Sequence, residues 1–217
     1  ARLSPAERRS AVQGALATFH EACRLEPRCA VAWLNLAWVC RLAGARDTEM
    51  GCLEQALAAD STEHGGLLLG RVDDPLYTQW RRDMALGRHR IEHLRADAAT
   101  RLAAACLEQG RSRDARNAAD RAIQWAPDAA AAYRIAGCAS ERLGEIDAAR
   151  EYLERGLRLT AFNAAHRMDL IRVTQAAGQA GEARRLAAAS ARIFDACPHE
   201  RHTAEAFRHL AADSTGS

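Results

Sequence analysis

The chain is 217 residues long, 48% hydrophobic and 27% charged, with a formal net charge of +2. Those proportions are ordinary for a soluble folded protein, and the near-neutral charge gives no overall bias toward nucleic acid or an anionic membrane. Aromatic residues make up only 5% while alanine is abundant; this favours closely packed helices over a β-sandwich, and no apolar run approaches the roughly 18 residues of a membrane span. From the N-terminus, Ser4-Pro5-Ala6-Glu7 reads as a capping box with proline at the first helical position. It predicts one long helix from Pro5 to about Arg24. FHEACRLEP ends like a second helix stopped by Pro27, so residues 5–29 are read as a partial unit.

Next, AWLNLAWVCRLAG (residues 32–44) supplies a first helix and LEQALAAD (53–60) a second, which makes 30–63 a full unit. Residues 64–95 lack that spacing and are read as an irregular, degenerate unit, because Gly44 precedes Gly110 by 66 residues, close to two periods. Then GRSRDAR (110–116), GEIDAAR (144–150) and GQAGEAR (178–184) recur 34 residues apart, marking units 96–129, 130–163 and 164–198. Before each glycine the apolar positions have helical spacing: Leu102, Ala103 and Cys106, then Ala136, Gly137 and Ser140, then Leu170, Ile171 and Thr174. A second helical pattern follows each glycine. The unit is helix, glycine turn, helix, with the glycine expected in a left-handed cap. Ala115, Ala149 and Ala183 are small enough for the second helix to cross near Ala103, Gly137 and Ile171, and Pro127 stops the helix before it. Residues 199–212 read as a capping helix with Phe207 and Leu210 facing inward.

A 34-residue helix–turn–helix with this W-x2-L-A, G-x4-A, A-L, P pattern resembles the tetratricopeptide repeat (TPR) family. The residues that carry the resemblance are Trp33, Leu36, Ala37, Gly44, Ala56 and Leu57; Leu102, Gly110, Ala115, Ala122 and Pro127; Tyr133, Gly137, Gly144, Ala149 and Leu157; and Leu170, Gly178 and Ala183. They span roughly residues 30–61 and 96–198. Two positions depart from the pattern: Glu49 stands where a small alanine is expected, and Arg167 where a large aromatic is expected. The resemblance implies that residues 1–217 form one all-α domain, an α-solenoid of four to five TPR-like hairpins. It further implies a right-handed superhelix whose first helices line a concave groove that holds an extended or helical peptide.

On that analogy the exposed stripe of each first helix, at i, i+4, i+7 spacing, is the candidate binding surface. It comprises Leu34, Trp38 and Arg41; Thr100, Ala104 and Leu107; Arg134, Cys138 and Glu141; and Met168, Arg172 and Gln175. The N-terminal part is apolar and aromatic, whereas Arg134, Arg142 and Arg172 make the C-terminal part basic. A ligand with a large apolar residue and an acidic group is expected, since arginine forks bind carboxylates bidentately and tryptophan is a frequent hot spot. The competing reading packs Trp38 against the irregular segment and leaves the arginines solvated or paired with Glu108, Glu141 and Asp169. The lysine and asparagine set with which the family clamps chaperone C-termini is absent here.

A second candidate surface is residues 78–95, where Trp80, Arg81, Arg82, Arg88 and Arg90 would make a basic, amphipathic helix. Its acidic neighbours nearly balance it, which weighs against nucleic acid and leaves a partner surface or a packing insert. His89 and His93 stand one turn apart, and Cys197, His199, His202 and His209 cluster near the C-terminus, but neither set completes a metal site. No nucleophile elbow, phosphate loop or dinucleotide fingerprint occurs, so no cofactor, metal or enzymatic activity is expected. All 30 basic residues are arginine, a coding bias that suggests a GC-rich bacterial genome. Seven scattered cysteines without a CxxC pair suit a reducing, cytoplasmic setting. The sequence begins at Ala1 without a leader pattern, and a processed chain or a part of a longer protein is expected. The function expected is a protein- or peptide-binding scaffold. The alternatives are a regulatory or targeting module of a larger bacterial protein, fused to an enzyme or DNA-binding domain, and a solenoid that forms homo-oligomers through its ends.

Overall fold

A helix needs a start, an apolar face and a stop, and the first helix has all three. The computed structural model describes residues 4–59, 91–196 and 198–212. Helix α1 (Pro5–Leu25) opens on the expected capping box: Glu7 N–H donates to Ser4 Oγ at 3.3 Å and Ser4 N–H to Glu7 Oε2 at 2.7 Å. It ends two residues before Pro27. Four helical hairpins follow: α2 (Ala30–Leu42) with α3 (Arg46–Ala58), α4 (Ile91–Glu108) with α5 (Ser112–Trp125), α6 (Ala130–Arg142) with α7 (Ile146–Leu159), and α8 (Ala164–Ala176) with α9 (Ala180–Asp195). A 3-10 turn at Pro198–Glu200 leads into α10 (Arg201–Ala212). The described residues form ten α-helices without a strand, an all-α helical-repeat solenoid.

Each hairpin turns at a glycine. Gly44, Gly110, Gly144 and Gly178 have φ between 76° and 79°, the left-handed conformation that a side chain disfavours. The N–H after each glycine donates five residues back, Ala45 to Cys40, Arg111 to Cys106, Glu145 to Ser140 and Gln179 to Thr174. Those bonds satisfy carbonyls that the helix end would otherwise leave open. The expected close crossings are also present. Ala115, Ala149 and Ala183 are fully buried, and a Cβ added to Gly137 would lie 2.6 Å from Leu153 Cγ and 3.1 Å from the Ala149 carbonyl.

Consecutive helices stack from α1 to α10, and α3 packs directly on α4. Helix α4 starts at Ile91, inside the stretch expected to be irregular. The reason is spacing: Leu94 stands one turn before buried Ala98 and extends the same apolar face. At the far end Phe207 is fully buried and stacks on Phe194, ring centroids 5.5 Å apart, with Leu210 half-buried beside it. Helix α10 thus packs on the last hairpin.

Both departures from the repeat pattern are accommodated. Arg167 takes over the indole's polar role: its Nε donates to the Ala161 carbonyl at 2.8 Å, six residues back, as Trp33 Nε1 donates to the Pro27 carbonyl at 2.8 Å. Glu49 is only 3% exposed, and its partners bear on the site.

Candidate functional site

The first helices α2, α4 and α6 enclose a cleft of about 420 Å³. Ala37, Trp38 and Arg41 come from α2, Thr100, Arg101 and Ala104 from α4, and Ala131 and Ile135 from α6; Glu49 and Leu53 of α3 line it as well. Trp38 is 55% exposed, so a large apolar surface faces water at this cleft. Thr100 Oγ1 donates to the Ala96 carbonyl at 2.7 Å, which leaves its oxygen lone pairs free to accept.

Glu49 is held by two arginines. Arg41 Nη1 lies 3.2 Å from Glu49 Oε1 and Arg46 Nη1 lies 2.9 Å from Oε2. The same two guanidinium groups reach across to Glu108 on α4, Arg41 at 2.6 Å and Arg46 at 3.2 Å. Hydrogen bonding to Glu108, helped by Glu49, raises the Arg41 pKa above its ordinary value. The third charge of the cleft, Arg101, pairs with Asp97 at 2.9 Å. A buried carboxylate is tolerable only when paired in this way.

A second ion cluster sits between α6 and α8. Arg134 Nε donates to Asp169 Oδ2 at 2.6 Å, and Arg172 Nη2 contacts Glu141 at 2.6 Å and Asp169 at 3.1 Å. Cys138 is half-buried among them, its sulfur 3.9 Å from Arg172 Nη2. Burial, with Asp169 nearby, pushes its thiol up to about 11, so it is not a reactive thiolate. Beneath, His166 is 1% exposed and packs against Gly156 and Tyr133. Burial, then Arg134, lowers its pKa.

The sequence-derived stripe is therefore divided. Trp38, Arg41, Thr100 and Ala104 share the cleft. Arg134, Cys138, Glu141 and Arg172 share the second cluster, while Met168 and Gln175 are exposed on α8. Leu107 is half-buried against the core and does not line the cleft. Leu34, expected to be exposed, is 6% exposed and belongs to a buried cluster with Ala98 and Leu102 of α4. Residues four apart on a helix differ by about 40° around its axis, enough to turn Leu34 inward while Trp38 faces out. The arginine forks expected for an acidic ligand already hold Asp169 and Glu141, and Arg142 donates to the Leu107 carbonyl.

The sequence-derived stripe missed Ala37, Glu49, Leu53, Arg101, Ala131 and Ile135 as cleft residues. Extending the α6 stripe back one turn from Arg134 reaches Ala131, and the broken small-residue rule marks Glu49. Trp80, Arg81, Arg82, Arg88, Arg90 and Cys197 lie outside the described residues. His199, His202 and His209 are exposed, and among the described residues no group of His, Cys, Asp and Glu is arranged to hold a metal ion. No described helix is long and apolar enough to cross a membrane.

Comparison with known proteins agrees with this geometry. A tetratricopeptide repeat family model matches residues 129–163. Among solved structures, MamA aligns with a TM-score of 0.60 at 15% identity, covering 99% of this chain and 96% of its own. Pseudomonas aeruginosa PilF gives 0.60 at 18% identity, covering 95% and 82%. YrrB, described as a TPR protein with an unusual peptide-binding site, gives 0.58 at 16% identity, covering 91% and 92%. At such identities the likeness establishes the shared fold. No protein of curated function matches the chain by sequence.

Proposed function

The chain carries a tetratricopeptide repeat at residues 129–163 within a solenoid of the same fold; from that premise we propose that it binds a peptide or protein segment in the cleft between α2, α4 and α6. The observation that carries this reading is Trp38, 55% exposed beside a cleft lined by Ala37, Ala104, Ala131 and Ile135. Exposed tryptophan in a concave, mostly apolar site is what a hot spot requires. YrrB's described peptide-binding site lends the reading support by analogy of fold. On this reading the role is binding without catalysis and the setting cytoplasmic and reducing, which suits the six cysteines among the described residues that stand as free thiols, five of them buried.

The test is selection of a random-peptide display library on the folded chain, repeated on Trp38→Ala with circular dichroism to confirm its fold. Peptides with a large apolar residue should be enriched, and Trp38→Ala should weaken them by about tenfold, as loss of a hot spot does. Peptides that bind both proteins equally would remove the cleft from the function.

A second reading, self-association, is favoured by another cleft of about 680 Å³. It is formed by α1 residues including Val12 and Leu16 together with Leu42 at the end of α2, and Leu42 is 55% exposed. Light scattering on wild type and Leu42→Glu tests it: a concentration-dependent dimer that the variant loses is the expected result, and a monomer in both defeats it.

A further inference from the structure

Resting on the groove reading above, we infer that the cleft takes a segment without net charge, anchored by one large apolar side chain against Trp38 and Ala104. The ionised side chains that line the cleft are already neutralised within the chain. Arg41 is held by Glu49 and Glu108, and Arg101 by Asp97. Both oxygens of Glu49 are occupied, by Arg41 and Arg46. An acidic guest would have to draw Arg41 away from a carboxylate that is 3% exposed, leaving a buried charge short of a partner. A basic guest would meet Arg41 and Arg101 while finding Glu49 fully engaged. Neither sign of charge gains from entering.

The remaining polar groups are neutral. The Trp38 indole N–H has no acceptor among the described residues, in contrast to Trp33, which donates to the Pro27 carbonyl. Thr100 Oγ1 can still accept. One free donor and one free acceptor suit the uncharged peptide main chain. The anchor position follows from size. Trp38, Ala104, Cys138 and Arg172 occupy equivalent places on the four first helices, and Ala104 is the smallest of them. The space beside Trp38 therefore opens over Ala104, and Ala104 sets how large a guest side chain is admitted.

The experiment uses the full chain and three sets of short blocked peptides, each centred on tryptophan, phenylalanine or leucine and flanked by serine and asparagine, by glutamate, or by arginine. Affinity is read by fluorescence anisotropy at about 50 mM and about 500 mM salt, since surface charge attraction is largely screened at the higher value. The serine–asparagine set should bind tightest, with a dissociation constant that changes less than about twofold between the two salts. Ala104→Leu, which keeps the helix and fills the space, should weaken it by about tenfold or more with an unchanged circular dichroism spectrum. Glu108→Gln should free part of Arg41 and Arg46 and shift preference toward the glutamate set. If the glutamate or arginine set binds wild type best and loses affinity with salt, the uncharged-guest inference is overturned while the groove survives. If no set binds, or Ala104→Leu and Trp38→Ala leave every affinity unchanged, the groove reading itself falls.

Discussion

Hairpins α2–α3 and α6–α7 fill the same repeat position by opposite means. In α6–α7, Gly137 faces Ala149 and Leu153, and the crossing is close because bulk has been removed. In α2–α3 the place of Ala149 is taken by Glu49, opposite Ala37, and the long side chain is buried with its carboxylate bound by Arg41 and Arg46. The repeat's small-residue position thus admits a buried charged residue when its head group is paired. The consequence is local. Glu49 and Leu53 of a second helix join the wall of the cleft only in this N-terminal hairpin among those described, and the candidate site lies where the pattern breaks.

The sharpest way to break the comparison is to strip Glu49 of its partners. Arg41→Met with Arg46→Met should cost about 3–5 kcal/mol in chemical denaturation, the usual penalty for stranding a buried charge. Adding Glu49→Ala to that pair should recover most of the loss; a pair that unfolds no more easily than wild type would show that Glu49 was never dependent on them. In the other half of the molecule the crowding is steric. A Cβ on Gly156 would run into the His166 ring and come within 2.8 Å of Tyr133 Cβ. Gly156→Ala should therefore lower stability by about 1–3 kcal/mol, while Gly14→Ala, with open space around it, should raise helix stability by about 0.5–1 kcal/mol.

A pH titration separates the halves by charge chemistry. His166 has a folded pKa below its ordinary value because burial, followed by Arg134, disfavours the imidazolium, with Asp169 and the Leu153 main chain opposing. Folding then favours the neutral ring. Its contribution is complete above about pH 6.5 and is lost as pH falls through the window between that value and the lower folded pKa. Melting temperature should fall as pH drops through that window, and His166→Gln should fall less steeply; parallel slopes would remove His166 from the acid response. The smallest effect expected is that of Glu49→Ala alone. It restores the residue the repeat normally carries and leaves Arg41 and Arg46 on Glu108, so stability should change by less than about 1 kcal/mol. A large loss there would mean that the ion cluster, rather than helix packing, holds α2 to α3.

Most of the fold was legible because its signals are local. The capping box at Ser4, the turns at Gly110, Gly144 and Gly178, and the inward Phe207 each depend on residues close in sequence, and each stands as read. Four of the ten cleft residues were legible too: Trp38, Arg41, Thr100 and Ala104 follow from the helical spacing of two first helices, once the family analogy marks those helices as the groove. Leu34 was misplaced because facing outward depends on which neighbouring helix stands beside it, and α4 brings Ala98 and Leu102 into the same buried cluster. The arginines were open between a ligand role and pairing with Glu108, Glu141 and Asp169, because those partners lie in other helices. Arg134 meets Asp169, Arg172 meets Glu141, and Arg41 meets Glu108 across residues 60–90.

What the sequence determined alone was the unit and its repetition: 3.6-residue periodicity chooses a face, glycine alone relaxes into φ near +77°, and alanine sets how near two helices come. The tertiary structure decided the electrostatics of the groove. Ion pairing acts over a few ångströms between helices of different repeats, and stacking brings those charges together at separations that sequence periodicity does not encode.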